Sequence, residues 1–223
     1  MTLVKSLRNP LLLLLAALGL GAVEPAGTIL ENDTVKIVRA LDKPHVKGKP
    51  HEHDRDRVMV YITSGKQRFE YQDGRKPEVF NWKAGQVVWS PKGGVHSPEL
   101  LSEEPLSIIE VELKNPGHGG KISGAKDPLT VAPKLYKLEF ENDAVRVLRV
   151  RVGAHQQIPM HEHALNRVTV YLTDQVNRIT NAEGKADIVK RKAGETVWAT
   201  PVSHQEENMG DTPFEALLIE MKK

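Results

Sequence analysis

Apolar and polar positions alternate with a period of two over short stretches of this chain. Val58, Val60 and Ile62 alternate with Met59, Tyr61 and Thr63, and Val168, Val170 and Leu172 alternate with Thr169, Tyr171 and Thr173. That period predicts strands, because successive side chains of an extended chain point to opposite faces. Residues 29–40 divide at Glu31-Asn32-Asp33 into two β-rich pieces around a turn, and residues 135–152 divide in the same way at Glu141-Asn142-Asp143. Asp73-Gly74 stands between two further β-rich runs as a hairpin turn, and Glu183-Gly184 fills the equivalent place later in the chain. No stretch of helix length carries a 3.6-residue period with caps. Short strands separated by turns throughout predict sandwiches or small barrels.

The pattern is written twice. Glu31-Asn-Asp-Thr-Val-Lys-Ile-Val-Arg39 recurs 110 residues later as Glu141-Asn-Asp-Ala-Val-Arg-Val-Leu-Arg149, with five of nine positions identical. The thirteen residues from His51 to Thr63 recur from His161 to Thr173 at the same offset, with eight identical. Lys83-Ala-Gly-Gln-Val-Val-Trp89 then recurs as Lys192-Ala-Gly-Glu-Thr-Val-Trp198 at an offset of 109. This period is far too long for a solenoid or propeller repeat, so it marks a duplicated domain. Residues 115–128 hold four glycines bounded by two prolines, which is linker chemistry. The expected domains are therefore residues 27–114 and 129–223, joined by the linker 115–128.

Residues 1–26 read differently. Lys5 and Arg8 precede an unbroken run of Leu, Ala and Gly from Leu11 to Leu20, and small residues follow at Gly21, Ala22 and Ala26. A basic start, a short apolar run and a small-residue exit make up a signal peptide, so export to a periplasm or the outside is expected, with cleavage after Ala22 or Ala26. The run spans only about half of a bilayer core that needs roughly 20 apolar residues, so no stable membrane anchor is expected. Cleavage after Ala22 removes two basic residues and no acid, leaving 29 of each sign. A near-neutral chain without a basic stripe has no electrostatic footprint for nucleic acid.

Cysteine is absent from all 223 residues, which excludes disulfides, thiolate metal sites and cysteine nucleophiles. Any metal must be held by His and carboxylate. Of the nine histidines, eight fall in matching pairs: His45 with His155, His51 with His161, His53 with His163, and His96 with His204. In a strand, residues i and i+2 point the same way, so each His-x-His presents two imidazoles on one face. His96 and His204 each follow a Val-Trp strand and supply a candidate third ligand. Three neutral imidazoles with open coordination positions form a catalytic type of site.

At these residues the chain resembles the cupin superfamily, and its doubling resembles a bicupin. In the first half Gly85, Pro91, Gly93 and His96 keep the spacing of the second cupin motif, and His51 and His53 match the core of the first. In the second half His161, His163, Gly194, Pro201, His204 and Asn208 match, with Pro201 one residue late. The resemblance implies an all-β fold of two tandem cupin-like, jelly-roll or double-stranded β-helix barrels, here placed after a signal peptide. It also implies metal sites at His51, His53 and His96 and at His161, His163 and His204. The family's glutamate ligand is replaced by Arg57 or Arg167 at one spacing and by Val58 or Val168 at the other, and its leading glycine by His45 or His155. Imidazole ligands suit Fe, Mn, Ni, Cu or Zn.

Arginine at the glutamate position changes the chemistry. If Arg57 and Arg167 share strand parity with the histidines, a divalent ion with a guanidinium beside it leaves an excess of positive charge that an anionic ligand would neutralise. A guanidinium forks a carboxylate well, so both arginines are candidate substrate-binding residues for a small organic acid. The competing reading is structural ion pairing, with Glu110 and Glu220 as a matched pair of partners and Asp56 available in the first half only. In a third reading a bulge turns the arginine outward.

The function expected from these residues is an exported metal-binding bicupin, acting as a metal-dependent oxygenase or isomerase on a small anionic organic molecule. The alternative is a non-catalytic bicupin that binds a small ligand. No acid–base residue stands out. The two barrels are expected to pack as an internal pseudo-dimer or to assemble as a homo-oligomer.

Overall fold

The computed structural model describes residues 25–119, 122 and 124–222. The expected signal peptide lies outside the described residues except for Pro25 and Ala26. The first half consists of β1 (Gly27–Glu31), β2 (Val35–Asp42), β3 (Arg57–Tyr61), β4 (Gly65–Tyr71), β5 (Glu78–Trp82), β6 (Val87–Ser90), β7 (His96–Leu100) and β8 (Leu106–Leu113). They form a five-stranded sheet, β1-β2-β8-β3-β6, and a three-stranded sheet, β5-β4-β7. The second half consists of β9 (Tyr136–Glu141), β10 (Val145–Val152), β11 (Gln157–His163), β12 (Arg167–Tyr171), β13 (Gln175–Asn181), β14 (Ala186–Arg191), β15 (Thr196–Ala199), β16 (Val202–Asn208) and β17 (Phe214–Met221). Its sheets run β15-β12-β17-β10-β9 and β11-β16-β13-β14. Every strand pair is antiparallel. A single helical turn, Pro128–Val131, starts where Asp127 Oδ1 accepts from Leu129 N.

Repeated local chemistry makes repeated turns. Asn32 Oδ1 accepts from the amides of Thr34 and Val35 between β1 and β2, and Asn142 Oδ1 accepts from those of Ala144 and Val145 between β9 and β10. These Asx turns reverse the chain at the predicted Glu-Asn-Asp positions. His45 and His155, which stand where the cupin pattern has glycine, are in the left-handed region with φ of 58° and 56°. Histidine is one of the non-glycine residues enriched there.

The alternation in β3 and β12 has apolar residues on both faces because both faces are covered. Val58 and Val60 of β3 join Val35, Ile37, Ile109 and Val111 of neighbouring strands in a buried cluster that continues into the other half through Val145, Val147, Val168, Val170, Leu217 and Ile219. The two five-stranded sheets thus pack face to face across one apolar interface. Matched arginines clasp its edges: Arg39 Nη2 donates to Gly194 O at 2.9 Å, and Arg149 Nη2 donates to Gly85 O at 2.7 Å. Both glycines have positive φ, and a side chain on Gly85 would meet Leu172 and Arg149 of the other half.

Strand register corrects one expectation. Arg39 pairs with Ile109 whereas Arg149 pairs with Leu217, an offset of 108, and Lys36 faces Glu112 as Arg146 faces Glu220. The offset has fallen from 110 because the connections of the second half are shorter. Glu220 therefore corresponds to Glu112, and Glu110 corresponds to Leu218. Glu110 and Glu220 are not a matched pair.

Candidate metal centres and a ligand cavity

In the first half the three expected histidines meet. His51 pairs with His96 in an isolated β-bridge, through amide bonds of 3.0 and 2.9 Å, and Gly93 N donates to His53 O at 2.7 Å. His51 and His53 are outside any regular strand here, unlike their counterparts at the end of β11. Ring centroids of the three lie 4.7–5.3 Å apart, and one ligating nitrogen from each lies within 4.8 Å of the others. His51 Nδ1 bonds to Lys49 O and His96 Nδ1 to Gly94 O, both at 2.9 Å. A ring nitrogen that bonds a carbonyl must be the protonated one, so each Nε2 carries a free lone pair. Burial, then the Arg57 guanidinium, pushes His53 down to about 3, and burial lowers His96 as well. Neutral imidazole is the form that binds metal.

These rings stand on the wall of a cavity of about 460 Å³ inside the first barrel. Strand parity fixes its lining: Arg57, Met59 and Tyr61 face inward while Val58 and Val60 face the other half. The arginine thus shares the cavity with the histidines, and no bulge turns it out. Arg57 is 4% exposed, and its Nε lies 3.2 Å from Glu110 Oε2 without hydrogen-bond alignment. Neither Nε nor Nη1 of Arg57 has a hydrogen-bond partner. The ion-pairing reading therefore holds for Arg57 with Glu110, and it leaves donors of the guanidinium free. Asp42, at the end of β2, accepts from Gln67, whose carbonyl accepts from Trp82 Nε1 at 2.9 Å. Burial raises the carboxyls of both Asp42 and Glu110 above their usual range, against the pull of Gln67 and Arg57 respectively.

The second site is built from the same positions and differs in access. His161 and His163 are 0% and 1% exposed, because β11 pairs with β16 through to His163, opposite Val202. His161 Nδ1 bonds to Pro159 O at 2.8 Å, and the Tyr136 hydroxyl donates to His161 Nε2 at 3.1 Å. His163 Nδ1 donates to Glu220 Oε1 at 3.0 Å, and Glu220 Oε2 accepts from Arg146 Nε at 2.6 Å. This is the carboxylate support typical of a metal-binding imidazole. His204 Nε2 is buried with no partner, and its pKa is pushed down to about 3 by burial and then by the neighbouring histidines. Arg167 lines this cavity too, but its Nη1 donates to Thr200 O at 3.0 Å and its Nε has no partner. The cavity measures only about 180 Å³.

A family model described as the AraC-like ligand binding domain matches residues 38–113. No curated protein matches the chain. Among solved structures, AerE from Microcystis aeruginosa is similar over 89% of this chain and 97% of its own, at 13% identity and a TM-score of 0.62. Oxalate decarboxylase of Bacillus subtilis, a protein with Mn(II) centres, is similar over 85% of this chain and 69% of its own, at 14% identity and a TM-score of 0.60. Vicilin from Corylus avellana (hazelnut) is similar over 84% of this chain and 74% of its own, at 13% identity and a TM-score of 0.57. The chain folds as a bicupin. Identities this low carry the fold and not a reaction.

Some residues of these sites gave no signal in the chain. Asp42 stands in the first cavity where the second has Val152, and Tyr136 reaches His161 from β9, whereas Glu110, expected as an ion-pair partner, stands where the second half has Leu218. Glu206, two residues after His204, lines the second cavity, and burial pushes its carboxyl up to about 7. The spacing of Glu206 from His204 was the only available hint, and the first half has Pro98 at that position.

Proposed function

We propose that this bicupin binds a divalent transition metal through His51, His53 and His96, and a small organic carboxylate beside it in the first cavity. The observation that carries the reading is the convergence of three ligating nitrogens, two with lone pairs freed by Nδ1–carbonyl bonds, on a 460 Å³ cavity that also holds a guanidinium with unpaired donors. The donor set fits Fe, Mn, Ni, Cu or Zn. His161, His163 and His204 are the second metal site, and the orphaned His204 Nε2 fits a bound cation there.

A bound ion would supply Lewis-acid polarisation or electron transfer, the chemistry of metal-dependent oxidations and isomerisations. The residues of the chain do the rest. Arg57 orients the carboxylate, and the aromatic side chains of Tyr61, Phe80 and Trp82 on the cavity wall exclude water. With Arg57 paired to Glu110 and Asp42 ionised, a divalent ion leaves the cavity at about +1, so one monoanion neutralises it. Arg167 plays a lesser role, since Thr200 O occupies its Nη1 and the cavity around it is small.

A second reading, a non-catalytic small-ligand-binding protein, is favoured by the match of residues 38–113 to a ligand-binding domain. Metal analysis of purified protein, then oxygen uptake and isomer analysis with a panel of carboxylates, decides between them. Stoichiometric metal with turnover supports the enzyme. Carboxylate binding without turnover supports the binder, and failure to take up any of the five metals refutes the centre. We further propose export to a periplasm or outside the cell, supported by the composition of residues 1–26. Recovery of full-length chain from the cytoplasm would refute it.

A further inference from the structure

The two cavities descend from one design and have diverged in one respect that bears on the ligand. In the first, Tyr61 and Trp82 stack with centroids 4.1 Å apart and planes 12° from parallel, and Phe80 extends the stack at 5.1 Å from Trp82. Phe69 closes the wall edge-on, 5.6 Å from Phe80 and 5.3 Å from His96. In the second cavity the Phe69, Phe80 and Trp82 positions are Ile179, Val189 and Arg191 by strand pairing, and Arg191 reaches over Tyr171. Of these four, only Tyr61 keeps an aromatic counterpart, Tyr171. A barrel core needs no such wall, as the second half shows by packing aliphatic and polar groups in its place.

We infer that the ligand of the first cavity is an aromatic carboxylate, with its ring against the Phe69–Phe80–Trp82 wall and its carboxylate on Arg57. This rests on the anion-binding reading proposed above and narrows it to a substrate class. Three observations support it together. The wall offers planar faces and edges suited to a ring, and offset or edge-to-face contact adds to burial alone. Arg57 lines this cavity while 96% buried, and the protein leaves its Nε and Nη1 without a hydrogen-bond partner, so its guanidinium is not saturated from within. The volume of about 460 Å³ falls in the range of small-molecule pockets, whereas the 180 Å³ of the second cavity falls below it. The second cavity is accordingly not a site for this ligand.

The probes are benzoate, cyclohexanecarboxylate, acetate and benzamide, titrated into full-length mature protein with and without added Zn²⁺. Calorimetry and quenching of tryptophan fluorescence give two readouts, and Trp82 and Trp89 both line this cavity. Benzoate is expected to bind about three- to tenfold tighter than cyclohexanecarboxylate, the range set by one aromatic contact. Benzamide, neutral and of the same shape, is expected to bind at least tenfold more weakly than benzoate. Trp82→Leu should abolish the preference for benzoate over cyclohexanecarboxylate while leaving binding of both. Equal affinity of the two ring acids in the unaltered protein overturns the aromatic inference and leaves the anion site standing. Absence of binding by every carboxylate, with and without Zn²⁺, overturns the anion site and the inference together. The benzoate–benzamide comparison needs no variant, so the anion site is tested independently of how any substituted chain folds.

Discussion

Replacing Arg146 by Met removes the one cation between two buried carboxylates. Arg146 is 1% exposed; its Nε donates to Glu220 Oε2 at 2.6 Å and its Nη1 to Asp127 Oδ2 at 2.7 Å. Glu220 is 0% exposed and its other oxygen accepts from His163 Nδ1. Met fills much of the same volume, so packing loss is minor and the cost is the uncompensated charge. Breaking a buried pair by deleting one partner costs about 3–5 kcal/mol. For a chain of this length each kcal/mol moves the melting temperature by about 2–4 °C, so a fall of about 6–20 °C is expected. The fold provides its own control. Lys36 occupies the same place in the first half, 3.8 Å from Glu112, with its side chain 32% exposed. An exposed pair contributes about 0–1 kcal/mol, so Lys36→Met should lower the melting temperature by no more than about 4 °C. Chemical and thermal unfolding of both variants measures the difference. If Arg146→Met lies within 1 kcal/mol of the unaltered protein, or if Lys36→Met costs as much, burial is not what makes this network matter.

Other outcomes can be checked in the same way. Asn208 donates to the carbonyls of Val152, Gly153 and Thr212 and accepts from Gly210 N, so Asn208→Ala orphans several backbone groups and should cost about 2–4 kcal/mol in urea unfolding. Ile219, fully buried between the halves, should cost about 2–5 kcal/mol as Ile219→Ala, and an unchanged unfolding midpoint would mean the halves are not held by that cluster. Glu206 has a folded pKa of about 7, above the ordinary 4.5, so its contribution is complete below pH 4.5 and lost as pH rises through 7. In metal-free protein, Glu206→Gln should therefore stabilise by about 3 kcal/mol at pH 8 and leave stability at pH 4 unchanged. A gain independent of pH would show that Glu206 does not titrate as described. Tyr136→Phe removes the hydroxyl from His161 Nε2, so it should raise metal content at the second site under limiting metal without altering the first. Equal stoichiometry in titrations of both proteins would contradict that.

The chain by itself determined whatever depends on near neighbours. Alternation at 58–63 and 168–173 set the strands and which residues face inward, and Asn32 and Asn142 set matched reversals through their own side chains. The duplicated His-x-His and the later histidines could be paired by spacing alone, since each lies close to a turn that fixes its direction. Correspondences across long connections could not be read this way. Each shortened loop in the second half shifts the offset by one, and only strand pairing reveals that Glu220 answers to Glu112 and leaves Glu110 to the first cavity. Accessibility was also decided in three dimensions. Two nearly identical histidine trios became one open and one buried site because β16 begins early enough to pair with β11, and because Tyr136 arrives from another strand. The physical reason is range. Side-chain direction and turn geometry act over a few residues, whereas burial and charge partnership are set by groups that the chain brings together from far along it, 25 positions for Tyr136 and His161 and 57 and 74 for the partners of Glu220.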